Sequence, residues 1–63
     1  MTTWRIHYTI TLPEGTLSQT YDHTFYIRPH DWYHAFMLIG GWLMNEYRVR
    51  KTAVRIPLME RIG

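Results

Sequence analysis

The sequence predicts an α+β fold: a three-stranded antiparallel sheet in chain order β-β-α-β and sheet order 2-1-3, with one helix packed on one face. Three observations carry this. Trp4, Ile6, Tyr8, Ile10 and Leu12 alternate with Arg5, His7, Thr9 and Thr11, the period of two expected of a strand with one dry face. A second alternating segment follows a turn signal. Beyond it, Asp31 opens a stretch too apolar and too long for a strand.

The turn signal is Pro13-Glu14-Gly15: proline presets φ, and glycine is free to take positive φ. After it, apolar residues fall at odd positions, Leu17, Tyr21, Phe25 and Ile27, while Thr20, Asp22, Thr24, Tyr26 and Arg28 take the other face. This parity selects the register. Pairing Leu12 with Thr16 would set Ile6 beside Asp22 on one face, which a dry core forbids. A loop of residues 13–16 instead pairs Leu12 with Leu17, Tyr8 with Tyr21 and Trp4 with Phe25.

Pro29 ends the second strand, and Asp31 suits an N-cap because its carboxylate accepts from the free N–H groups of the first turn. The helix should run to about Tyr47, with Arg48, Arg50 and Lys51 at its end, where cations favour the dipole. Residues 53–62 read as a last strand, Val54, Ile56 and Leu58 inward and Arg55, Pro57 and Met59 outward. Pro57 cannot donate to a ladder, so this strand belongs at an edge. Placing it antiparallel beside the first strand gives the order 2-1-3; parallel to the second is the competing arrangement.

Sixty-three residues make one domain, and a chain of this size buries only about 60% of its unfolded surface. Without cysteine it has neither disulfides nor thiolate metal sites, and aromatic residues, 16% of the chain, supply the core volume instead. The apolar run at residues 35–44 is too short to cross a bilayer. With its polar start and no export signal, the chain is expected in the cytoplasm, away from membranes. The net charge of +2, from six Arg and one Lys against five acids, is compatible with weak nucleic-acid binding without requiring it.

No residue pattern points to a reaction or a cofactor. His30 and His34 share a helix face at metal-ligand spacing, but no third ligand is evident, so no metal is expected. His7 faces Asp22 in the chosen register, the geometry of an oriented base, yet its neighbours are threonines and Arg5 on an open sheet. A cross-strand charge pair explains it as well. His23 falls on the core face. The outer sheet face carries Thr9, Thr11, Thr20 and Thr24 with Tyr26 its only aromatic, so it lacks the stacking platform of RNA-binding sheets.

The helix is the exception. One side carries Trp32, Ala35, Ile39, Trp42 and Leu43, flanked by Phe36 and Leu38; the opposite side carries Tyr33, Met37, Gly40, Gly41 and Met44. Packing on one sheet face needs a single apolar stripe. Two helical glycines each cost about 1 kcal/mol relative to alanine, and they leave room for another backbone beside adaptable methionines. Either the pair breaks the helix, or this second face meets a protein, and a homodimer through it is the expectation. A denser basic cluster of Arg48, Arg50, Lys51 and Arg55 is the second candidate, for a protein partner or for nucleic acid.

The strand Trp4-Arg5-Ile6-His7-Tyr8, the Glu14-Gly15 turn, the second strand and the helix opened by Asp31 resemble small phage-encoded β-β-α(-β) proteins, anti-CRISPR inhibitors among them. The resemblance implies a viral stoichiometric inhibitor of a host defence protein, acting by binding and without enzymatic activity. Inhibitors that mimic nucleic acid are acidic; this chain is mildly basic, so mimicry is not expected.

Overall fold

The computed structural model describes residues 1–11 and 18–63. The expected Pro13-Glu14-Gly15 turn and the Leu12–Leu17 pair lie outside them. Strand β1 (Thr2–Thr11) and strand β2 (Ser18–Ile27) are followed by helix α1 (Trp32–Tyr47), a 3₁₀ turn at Lys51–Ala53 and strand β3 (Val54–Arg61). The sheet is antiparallel in the order β2-β1-β3, with the helix on one face.

β1 lies in the centre because its alternation is the most regular and its inner residues are the largest. Trp4, Ile6, Tyr8 and Ile10 are all buried, and Ala35, Ile39 and Leu43 of α1 close over them. The fourfold spacing of those three keeps them in one stripe along the helix. The register is the one the parity demands: Trp4 opposes Phe25, Ile6 opposes His23 and Tyr8 opposes Tyr21.

β3 departs from expectation. His7 pairs with Leu58 and Thr9 with Arg55, so Ile56 and Pro57 together oppose Tyr8 alone. This bulge sits where proline has no N–H for the ladder, and the extra residue reverses which side chains face inward. Val54 and Ile56 face the core as expected, but beyond the bulge Met59 is the buried residue and Leu58 stands 44% exposed on the outer face. The expected Val54, Ile56, Leu58 alternation holds only up to the proline.

Two polar contacts pin the crossing from β2 to α1. The Trp4 indole donates to the Pro29 carbonyl at 3.0 Å, and the Thr2 hydroxyl bonds His30 Nδ1 at 2.8 Å. At the helix start, Asp31 accepts from the His34 backbone N–H at 3.0 Å and pairs with its ring. The first of these contacts, then the second, holds the Asp31 carboxyl below the usual carboxylate range. At the far end Arg48 takes the left-handed conformation, φ 55°, and its N–H and that of Val49 both reach the Met44 carbonyl. A β-carbon is disfavoured there.

Arg48→Gly is therefore expected to raise stability by up to about 1 kcal/mol, read as a rise in the denaturation midpoint. Asp31→Ala should lower the melting temperature at neutral pH. Because the folded-state pKa is depressed, this contribution is present above about pH 4 and fades as acid protonates the carboxyl in both states. Wild type and variant should thus converge in melting temperature near pH 2.

Candidate functional site

With Ala35, Ile39 and Leu43 buried on β1, the rest of the helix has less to cover it. The large residues assigned to its core side sit at the margins. Trp32 stacks on Phe36 with centroids 4.9 Å apart and donates to the Met59 carbonyl at 3.3 Å, yet is half exposed. Trp42 meets Phe25 edge to face at 5.2 Å and remains 43% exposed. His23, expected inside, is exposed and lies against Phe25 and Trp42. A single helix does not span the inner face of three strands, so the edge residues stay at the water boundary.

Between α1 and β3 runs an apolar groove of about 220 Å³. Phe36, Met37, Gly40, Gly41 and Met44 form one wall; Val54 and Ile56 form the other, and Lys51 also lines it. Four of the five residues expected on the second helix face meet here. The fifth, Tyr33, stands apart and exposed, its ring edge-on to His34. Phe36, Val54 and Ile56, which also pack against the core, join the groove beyond the residues expected there, and inward-facing Val54 and Ile56 on an edge strand are the sequence signal for that wall.

The glycines neither break nor serve the fold. The helix runs through both without interruption, and neither has a positive φ. A β-carbon built on Gly40 or Gly41 meets nothing within 4 Å. No internal packing requires them.

The basic cluster is divided by the fold. Lys51 joins the groove, whereas Arg55 pairs with Thr9 on the outer sheet face, beside Thr11 and Ser18 in a shallow hollow. Arg48 caps the helix and Arg50 precedes the 3₁₀ turn, both exposed. Among the described residues none of the four forms an ion pair: Arg5 holds Glu60, His7 holds Asp22 and His34 holds Asp31.

The His7–Asp22 pair stands on the open outer face, next to a Thr9–Thr20 hydroxyl bond of 3.2 Å. His30 and His34 each use Nδ1 on a neighbour, Thr2 and Asp31. No group of three or more His, Asp or Glu side chains fit to hold a metal occurs among the described residues. No helix there is long and apolar enough to cross a membrane. On the inner face, Tyr8 and Tyr47 share a 2.8 Å hydroxyl bond, and Tyr21 stacks on Tyr8 at 5.2 Å. Burial first, and the Tyr47 bond second, pushes the Tyr8 hydroxyl above its usual range.

Gly40→Ala and Gly41→Ala are each expected to stabilise the fold by about 1 kcal/mol, because the helix gains propensity and the added methyl meets no atom. Chemical denaturation of the single and double variants checks this; a loss of stability would mean that the fold itself needs the glycines.

No family model, curated protein or solved structure matches this chain.

Proposed function

We propose that this chain is a non-catalytic module that binds a protein partner in the α1–β3 groove. Gly40 and Gly41 carry the reading. They lower helix stability, face open space and line an apolar groove between Met37 and Met44. A sequence that keeps such a pair gives up stability for something outside its own core. Methionine walls adapt to an incoming side chain, and exposed apolar surface of this kind marks interaction sites.

The partner's chemistry follows from the lining. An aliphatic or aromatic side chain suits the groove, and a carboxylate beside it would meet Lys51, which has no internal counter-charge among the described residues. A foreign partner that carries such a carboxylate is the occupant proposed. Together with the resemblance to small phage proteins, this makes a stoichiometric inhibitor of a host cytoplasmic protein the concrete form of the proposal.

Nucleic-acid binding is the second reading, favoured by the uncompensated Arg48, Arg50, Lys51 and Arg55. Their split between the groove and the outer face makes a weak, sequence-independent contact the expectation, with log K falling against log salt at a slope of about −3 to −4.

Immobilised wild type, Gly41→Leu, Lys51→Glu and the outer-face control Thr9→Gln, offered the same host extract, separate the readings. The expected result is a protein held by wild type and Thr9→Gln and lost, by tenfold or more, with Gly41→Leu and Lys51→Glu. Retention indifferent to the groove variants would overturn the proposal. Submicromolar binding of nucleic acid that survives high salt would replace it with the second reading.

A further inference from the structure

The two edges of the sheet are built differently. β3 is closed to further pairing by Pro57 and the bulge beside it. Among the described residues β2 is paired on one side only, and it runs ten residues without proline, glycine, lysine or arginine, in unbroken register with β1. Soluble proteins blunt open edges with those very devices, because an unprotected edge pairs with another strand. The inner face beside this edge is also unfinished. α1 lies closer to β3 than to β2, which leaves Tyr21, Phe25 and Ile27 half-buried and Trp42 and Leu38 exposed.

We propose that β2 pairs antiparallel with β2 of a second copy, making a continuous six-stranded sheet. A two-fold axis normal to the sheet is the operation that makes two identical strands antiparallel neighbours. It keeps both helices on one face. The exposed flanks at Trp42 and Leu38 are thereby brought toward their equivalents in the other copy, so one rotation covers both the open edge and the apolar margin beside it. That shared symmetry is what selects a second copy as the occupant.

Charge sets the register. The faces match only when opposed residues have the same parity. Of the two longest such registers, one centres on Asp22 and sets two carboxylates against each other. The other centres on His23, opposing Asp22 to Thr24, Tyr21 to Phe25 and Thr20 to Tyr26 of the second copy. It opposes no like charges between carboxylates and pairs aromatic residues across the junction. The dimer takes this register, and the α1–β3 groove on the far side of each helix stays open for its partner.

Light scattering at micromolar concentration should give twice the 7.7 kDa chain mass. The chain has no cysteine, so His23→Cys supplies a single thiol whose Cα would face its equivalent at about 4.5–5.5 Å, within disulfide reach. With oxidised glutathione it should cross-link nearly completely, whereas Thr20→Cys, three residues from the axis, should remain monomeric on a denaturing gel. The outer-face double variant Thr20→Lys, Tyr26→Lys opposes lysines across the junction and should halve the mass. Mixing it with Thr20→Glu, Tyr26→Glu should restore the dimer. A monomeric wild type, equal cross-linking at both cysteine positions, or a dimer dissociated by Met37→Glu but not by the lysine pair would overturn the proposal.

Discussion

The width of one helix against three strands is the constraint on which the molecule depends. A helix with its side chains is about 10–12 Å across, and strands lie about 4.8 Å apart. One helix therefore seals the central strand and covers only part of each neighbour. β1 is sealed: Trp4, Ile6, Tyr8 and Ile10 lie under Ala35, Ile39 and Leu43, and these, with Met59, are the buried apolar core. Among the described residues, strands of eight to ten residues and one sixteen-residue helix leave no further element to bury anything more. The groove along β3 and the open margin along β2 are the two sides of that shortfall.

Aromatic side chains make so thin a core workable. Each covers much area while its polar end reaches the boundary. Trp4 and Trp32 give their indole N–H groups to backbone carbonyls, and the Tyr8 and Tyr47 hydroxyls satisfy each other. Among the described residues no buried side-chain polar atom lacks a partner. The outer face is settled more cheaply, by hydroxyl pairs between β1 and β2 and by the Arg5–Glu60 and His7–Asp22 pairs. Exposed pairs of this kind contribute little to stability, so a cross-strand role suffices to explain the histidine and aspartate that resemble part of a catalytic arrangement.

The helix serves two demands that conflict. Its buried stripe closes the core formed by the described residues, while the glycines on its adjoining face weaken it. Any gain from an open groove is drawn from a small reserve, because a domain of this size is marginally stable. The proposed binding role rests on the glycines together with this surface in excess of what folding uses.

The sequence by itself determined the class, the element order and the β1–β2 register through Tyr8–Tyr21 and Trp4–Phe25, and it favoured the 2-1-3 order that the sheet has. It did so because period two and parity are local properties that one dry face enforces along a whole strand. The Asp31 cap was equally legible, since a cap is set by neighbours within one turn. What only the tertiary structure decided lies where two elements meet. The bulge that turns Met59 inward and Leu58 outward depends on how β3 meets β1 around Pro57. The exposure of Trp42 and His23 depends on where the helix sits across the sheet. The same packing brings Lys51 to the methionines and glycines of α1 and sends Arg55 to the opposite face, dividing a cluster that is continuous in sequence. Spacing along a chain records which residues share a face, but how far a cover reaches is a matter of widths and crossing, which exist only once the layers are stacked.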